Sequence, residues 1–394
     1  MPISLIPTEA WEYDVGDALT AVLSLFEKDR ESHLNLKGIG ECLPVRSGRA
    51  AILLSLQALN LKKGSAIGVP LYCCPVVFKA IKAAGHSPVF IDVNPENYCL
   101  SLDDLAAKIR NIDALIAVHM FGQVADMPAI LKIMQDKPVI EDCAQSLGSS
   151  INGKLTGTFG SISIFSFRSG KYISAGEGAA IYCREPGLTM RLGNDIRSLH
   201  EPAQSEEIKH IVETYLRSQL RSWPLWGLAG SKIWKIYNKE VDFIKKSPIA
   251  LSQIFKSDLT TIKIRLTELE KMIETQREHA QYYLENLQLP REMFCYEQSG
   301  YLYNRFMFPI KLRSEKEYKF LSDFLFNENI STSRPYFDVI EGAARYYGYK
   351  GDCPQAEHLL RSTLVIPVHY KLRGKDLKHI CNSVNLAWQH YDSF

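Results

Sequence analysis

Lys171 stands in the stretch SFRSGKYISAGEGAA, from Ser166 to Ala180, between a glycine and a tyrosine and among small hydroxyl residues. An ordinary lysine has a pKa near ~10.4, so roughly 1 in 2,500 molecules carries a free amine at pH 7. Nucleophilic use of such an amine requires desolvation or a neighbouring cation. Arg168 is the cation the sequence places beside it. Asp142, in VIEDCAQS, closes an apolar run and would end a strand. If the two residues end neighbouring strands of one sheet, a buried acid faces a buried amine. Each also has a plainer role: Lys171 as a solvated loop lysine, Asp142 as a helix cap.

An acid–amine pair of this kind is what pyridoxal 5′-phosphate (PLP) needs. The carboxylate keeps the pyridine nitrogen protonated, and the amine holds the aldehyde as a Schiff base. The phosphate would also need a cradle. Arg46-Ser-Gly-Arg-Ala-Ala opens an apolar helical run, so Ser47 and Gly48 can offer free amides and Arg49 a positive charge. A capped helix with Ser47 as its cap is the simpler reading. Ser166 and Ser169 add hydroxyls beside the lysine, where turn formation is the alternative. His119 ends a predicted strand near this site and is a candidate for lining it, although such a histidine is more often a hydrogen-bonded core residue. No two histidines have metal-ligand spacing with a carboxylate, and no metal site is expected.

The elements that must position these residues alternate. Strands are predicted at Ile67–Leu71, Pro88–Val93, Ala114–His119, Val139–Asp142, Ser161–Phe167 and Ala179–Cys183, with helical patterns at Pro75–Ala84, after Ser101 and at Met127–Met134. Near-continuous apolar strands alternating with helices imply an α/β fold with a mostly parallel sheet covered on both faces. Ligands of such sheets sit at the carboxyl ends of the strands. From about Leu259 the pattern changes. One helical face runs from Ile262 to Leu287, a strand with an edge-type Pro309 follows, Ser314 and Glu317 cap another helix, and a last amphipathic helix includes Leu377 and Trp388. The reading is a large domain over residues 1–258 and a smaller α+β domain over 259–394.

The 394 residues carry a formal charge of +2, with no long basic block, so nucleic acid is not an expected partner. Nine scattered cysteines without a C-x-x-C pair fit a reducing, cytoplasmic setting better than a disulfide frame. Neither a signal peptide nor a membrane span is expected.

Taken in order, SGRAAI, VPLYCCPVVFKAI, PVFIDVNP, VHMFGQVADM, VIEDCAQSLGS and GTFGSISIFSFRSGKYISAGEGAAI resemble the DegT/DnrJ/EryC1/StrS family of PLP-dependent sugar aminotransferases. TELEKMIETQREHAQYYLENL and CPQAEHLLRSTLVIPVHYKL continue the likeness into the C-terminal part. The resemblance implies the aspartate-aminotransferase type of fold (fold type I), a homodimer with shared active sites, and transfer of an amino group from glutamate, or glutamine, to a nucleotide-linked keto sugar. It matches Lys171 to the Schiff-base lysine, Asp142 to the pyridine-nitrogen partner, Gln145 to the residue near the cofactor's phenolic oxygen, and Ser166 to a phosphate-binding serine. Gly48 and Arg49 fall where the family more often has glycine then threonine. Cys74 falls where an aromatic ring usually stacks on the cofactor. Ser257 and Asp258 stand where a partner-subunit asparagine often reaches the phosphate. Two rivals are a PLP-dependent sugar dehydratase, whose relatives carry histidine in place of the lysine, and a non-catalytic protein of the same fold.

Arg334, in STSRPYF, is a candidate substrate contact. A basic, tryptophan-rich insertion at about 205–250 is not explained by the resemblance. Between Leu216 and Lys239 it has five basic residues, no acid and three tryptophans. Packing on the protein's own subunit or dimer is its first reading; substrate contact and a weak membrane-surface contact through 216–239 are the others.

Overall fold

The computed structural model describes residues 5–26, 33–221 and 248–392. Eight strands form the main sheet: β1 (Leu34–Leu36), β2 (Gly40–Val45), β3 (Ala66–Pro70), β4 (Ser87–Ile91), β5 (Ala114–Val118), β6 (Val139–Asp142), β9 (Ile162–Ser166) and β10 (Ala179–Cys183), in the order β1-β2-β10-β9-β6-β5-β3-β4. The block β9-β6-β5-β3-β4 is parallel throughout, and β10 runs antiparallel to both β9 and β2. Strands β1 and β2 carry too short and too polar an apolar signal to be predicted.

Burial on both faces explains the unbroken apolar strands. In β5, Ala114, Ile116 and Val118 enter one core with Leu53, Phe78 and Leu192 from the helices Gly48–Ala58, Val76–Ala83 and Pro186–Ser198. Leu115 and Ala117 enter another with Leu105, Ile130 and Met134 from the helices Leu102–Lys108 and Met127–Met134. Alternate residues of a strand point to opposite faces, so a sheet sandwiched between helices needs apolar residues at every position.

Short strands β7 (Ser150–Ile151) and β8 (Lys154–Leu155) form a small sheet with β11 (Tyr301–Leu302). Strands β12 (Phe308–Lys311) and β13 (Thr363–Ile366) form a two-stranded sheet with Pro309 opposite Val365; β13 also bridges Ser333, and among the described residues Pro309 lies on the open edge expected for it. These two strands and the helices Leu269–Asn286, Glu315–Asn327 and Gly374–Asp392 share a separate core. By contrast, the helices Val339–Tyr347 and Pro354–Ser362 bury Val339, Ala343, Ala356 and Leu359 in the core of the main sheet.

The helical face expected from Ile262 to Leu287 is broken. One helix ends at Leu266 and the next begins at Leu269. Thr267 bonds back to the Ile264 carbonyl, a local alternative to continuing the helix. Each piece then serves a different core, Ile262 one and Ala280 the other.

Candidate active site

Strand ends gather the predicted residues. Asp142 closes β6 and Ser166 closes β9, adjacent strands in which Asp142 pairs with Ile164. Residues between Ser166 and Ala179 form the loop of the β9–β10 hairpin and carry Lys171. The Lys171 amide donates to the Arg168 carbonyl at 3.0 Å. Its ammonium lies 5.0 Å from the centre of the Phe306 ring. Burial, reinforced by the Arg168 charge, pulls the Lys171 amine down to about 8. Asp142 and Cys74 both lie close enough to act on it electrostatically.

Asp142 is buried and its carboxyl is raised by that burial. It accepts one bond, from the Ala144 amide at 3.0 Å, which is the cap-like contact the sequence allowed. Gln145, also buried, is held at both ends: its Oε1 accepts from the Phe121 amide at 2.8 Å and its Nε2 donates to the Tyr336 hydroxyl at 3.1 Å.

Ser47 caps the helix Gly48–Ala58, its hydroxyl accepting from the Ala50 amide at 3.3 Å. The Gly48 and Arg49 amides at the first turn have no acceptor among the described residues, as expected of a helix start. A Cβ built on Gly48 would sit 3.5 Å from the Ser166 hydroxyl, so this helix start faces the end of β9. Free amides, a hydroxyl and the Arg49 cation suit a phosphate dianion. A buried carboxylate with spare acceptor capacity suits a protonated ring nitrogen, and the depressed Lys171 amine suits an aldehyde. The residues present therefore fit PLP.

The C-terminal part supplies Phe306 to this pocket by a route the sequence did not disclose. Asn304 donates to the carbonyls of Gln145 and Leu147, its own amide bonds the Ser149 hydroxyl, and its Oδ1 accepts from the Phe306 amide. Tyr172, next to Lys171, donates to the Asn304 carbonyl. Gly122 is required for this packing: a Cβ there would lie 1.9 Å from Asn304 Oδ1, and its φ is +85°. Tyr72 is fully buried and edge-on to Tyr98, Phe121 and Tyr336. Asn304 and Tyr336 were missed because irregular loops give no periodic signal, and the alternation of Phe306 with Phe308 and Ile310 predicts a strand residue, whereas the strand begins at Phe308.

The expectation for His119 is corrected. It is wholly buried; Nε2 is 3.0 Å from Glu141 Oε1 and Nδ1 accepts from the Ala125 amide at 3.0 Å. With both ring nitrogens engaged inside the core, it presents none to a substrate. Glu141 accepts further bonds from the Gly157, Phe159 and Gly160 amides. His119, Glu141 and Cys143 come within metal-ligand spacing of one another. Here, though, the carboxylate is saturated by protein donors, and burial keeps the Cys143 thiol protonated.

Arg334 pairs with Glu315 at 2.8 Å, donates to the Arg361 carbonyl, and lies over the rings of Tyr318 and Phe337. Two residues on, Tyr336 reaches Gln145. In the basic insertion, Arg217 pairs with Glu213, and Arg221 pairs with Glu9 while lying 3.7 Å from the Trp11 ring centre. Residues 222–239 of the segment, including its tryptophans, lie outside the described residues. Among those described, no helix is long and apolar enough to cross a membrane.

The chain matches the model of the DegT/DnrJ/EryC1/StrS aminotransferase family over residues 23–215 and 260–385. It belongs to that family. This DegT-family chain is 26% identical to the UDP-N-acetyl-3-dehydro-alpha-D-glucosamine 3-aminotransferase of Acidithiobacillus ferrooxidans, over 89% of its own length and 85% of the relative's. It is 28% identical to the GDP-perosamine synthase of Escherichia coli O157:H7, over 86% and 84% respectively. Its fold is that of the aminotransferase TlmJ from Streptoalloteichus hindustanus, at a TM-score of 0.76 and 19% identity, covering 98% of this chain and all of that one. The α/β architecture with its large, mostly parallel sheet is thus the aminotransferase fold. The protein is a PLP-dependent aminotransferase.

Proposed function

We propose that this DegT-family enzyme moves an amino group from glutamate to the keto group of a nucleotide-linked sugar, for amino-sugar biosynthesis. The substrate class rests on the relatives, whose names specify UDP- and GDP-linked sugars. The observation that carries the catalytic assignment is the Lys171 amine, lowered to about 8 and within electrostatic reach of buried Asp142 at the carboxyl ends of β9 and β6.

PLP, when bound, supplies an electron sink for the carbanionic charge that develops at the substrate carbon. Lys171 would hold it through its amine and, when that amine is free, would move the proton to and from the substrate carbon. A base near pH 8 is matched to that task, because proton transfer is most effective when the catalytic pKa lies near the working pH. Asp142 would hold a proton at the ring nitrogen. Gln145, fixed by Phe121 and Tyr336, would bond near the phenolic oxygen. Ser47, Gly48, Arg49 and Ser166 would bind the phosphate. Cys74 would lie beside the ring as a small, polarizable contact, close to Lys171. Arg334 is proposed to approach the substrate from the segment that carries Tyr336.

A homodimer in the cytoplasm is the proposed setting. The free cysteines are nearly all buried thiols, which a reducing compartment preserves. The residue at position 171 is lysine, as an aminotransferase requires. The test is a screen of nucleotide keto sugars with glutamate, glutamine as a second donor, and Lys171→Ala as the blank. Donor alone should convert the PLP spectrum to that of the amine form. A protein that binds PLP but leaves the spectrum unchanged with either donor would instead be a binding module.

A further inference from the structure

A second histidine–carboxylate pair lies behind the lysine hairpin and has no part in the chemistry above. His210, on the helix Gln204–Arg221, places Nε2 2.8 Å from Oδ1 of Asp258, on the helix Lys256–Leu266; both are buried. Gly176 of the hairpin loop is pressed against the pair. A Cβ at Gly176 would lie 3.0 Å from Asp258 Oδ1, 3.0 Å from His210 Nε2 and 2.8 Å from Thr214 Oγ1, at a φ of +106°. The other Asp258 oxygen accepts from the Glu177 amide at 3.3 Å.

The contacts continue to the helix start proposed for the phosphate. The Glu177 carboxylate pairs with Arg46 Nε at 2.7 Å. The Arg46 carbonyl accepts from the Gly178 amide at 3.0 Å. The Arg46 guanidinium lies 3.6 Å from the centre of the Phe255 ring, and His210 stacks on Phe255 at 4.1 Å. In the other direction, Gly176 and Gly178 bond back to Ser169 and Phe167, which flank Arg168 on the way to Lys171. One connected set of contacts therefore joins the Lys171 hairpin to the Ser47–Arg49 turn.

We propose that His210 and Asp258 are positioning residues that, through Gly176, Glu177 and Arg46, lock the lysine half of the cofactor site in register with its phosphate half. The inference rests on the roles proposed above for Lys171 and Ser47–Arg49. Ser257 and Asp258 stand where the family pattern led us to expect a phosphate-reaching asparagine. In this chain Asp258 spends its two oxygens on His210 and the hairpin, and Ser257 bonds Glu207.

Charge on His210 strengthens the lock. Burial opposes protonation, but Asp258 and then Glu177 outweigh it and raise the imidazole above its ordinary value, with Arg46 acting in the opposite sense. Tyr13 lies within electrostatic reach of Asp258, and Glu207 is occupied in bonding Lys256 and Ser257. A raised histidine contributes fully below its unfolded pKa and loses that contribution as pH rises through the folded pKa.

The test measures dissociation constants for PLP and for phosphate-free pyridoxal on the full chain, from pH 6 to 9, using the visible absorbance of the Lys171-bound chromophore. His210→Ala and Asp258→Ala should weaken PLP about tenfold or more, the factor that one charge-assisted hydrogen bond supplies. His210→Gln, which keeps a donor toward Asp258, should restore most of the affinity at high pH but lack the extra tightening seen in the native protein at low pH. Glu177→Ala leaves the buried pair intact and should cut the preference for PLP over pyridoxal several-fold; it decides the matter if the buried variants fail to fold. Native PLP affinity and an unaltered PLP-to-pyridoxal ratio in folded Glu177→Ala would overturn the lock. Loss of the chromophore in the native protein itself would instead overturn the assignment of Lys171.

Discussion

Glu141 and Asp142 are neighbours on one strand and face opposite sides of the same sheet. Glu141 shares its face with Val139, in the core covered by the helices Leu102–Lys108 and Met127–Met134; Asp142 shares the other face with Ile140. Both are buried, yet their carboxyl groups move in opposite directions. Burial works against ionisation of Glu141, but His119 and the Gly157 and Gly160 amides overcome it and hold the carboxyl below its usual range. Asp142 has one amide partner and the electrostatic help of Lys171 and His119, and burial prevails. The lesson is about acceptor capacity. An ionised carboxylate can accept about four bonds. Glu141 fills that capacity within the protein and is part of the scaffold. Asp142 leaves most of it unused among the described residues, and a cationic ligand beside Lys171 would complete it.

Changes on the Asp142 face should act on chemistry and those on the Glu141 face on folding. The largest effect is expected at Lys171. Lys171→Ala should lose the borohydride-fixed PLP adduct on the peptide containing residue 171 and reduce turnover by at least ~10²–10⁴-fold, the range for a positioned acid–base group. Its melting temperature without cofactor should stay near that of the native protein. A variant that retains the adduct would put the reactive amine elsewhere.

Asp142→Asn comes next. Removing the charge that stabilises a protonated ring should slow turnover by ~10²–10³-fold, comparable with loss of one preorganised electrostatic contact. PLP should still attach to Lys171, so the absorbance persists while catalysis fails. On the other face, Glu141→Ala should do the reverse. It strands the His119 ring and three amides in the core and should cost about 3–5 kcal/mol of unfolding free energy. The folded fraction should still capture PLP. Because the Glu141 carboxyl is depressed in the folded state, its contribution is complete above the unfolded carboxylate range and vanishes as pH falls through the folded value. Denaturant midpoints of the native protein should therefore fall more steeply on acidification than those of Glu141→Ala.

Much of this contrast was legible in the sequence, and the part that was not has a physical reason. Lys171, Asp142, Ser166 and the Ser47–Arg49 turn stood out because strand ends and helix starts are marked by composition, and the ends of a parallel sheet are where ligands sit; Gln145 came only from the family resemblance. Asp142 was singled out in VIED because it ends the strand, but the role of Glu141 could not be read, since alternation says only that the two acids face opposite ways. For His119 the site-lining and core readings both stood, and the bonds to Glu141 and Ala125 that decide for the core depend on how β5 and β6 pair. Asn304, Phe306 and Tyr336 lie well over a hundred residues from Lys171 in the chain, so no local pattern ties them to it. His210 looked like an ordinary helix residue, and Asp258 stood out only as a departure from the family pattern; the hairpin that rests on both is a tertiary contact. The break after Leu266 was hidden because both helices keep an apolar face, although each serves its own core.

The smallest expected effect separates tuning from mere burial on the Asp142 face. Burial and Arg168 lower the folded Lys171 amine to about 8, so the apo protein should capture PLP at a rate that climbs with pH and levels off just above that value. An unperturbed lysine would still be climbing near pH 10. Arg168→Gln removes the neighbouring charge but not the burial, and should move the midpoint upward by a fraction of a pH unit while leaving the plateau rate unchanged. Tyr336→Phe removes one hydrogen bond to Gln145, about 0.5–1.5 kcal/mol, and should weaken PLP by less than about tenfold without moving that midpoint. Stopped-flow absorbance on the three proteins distinguishes the cases. A midpoint near 10 in the native protein would mean that the amine is solvated before the cofactor arrives, and that the contrast between the two faces of β6 arises only once PLP is bound.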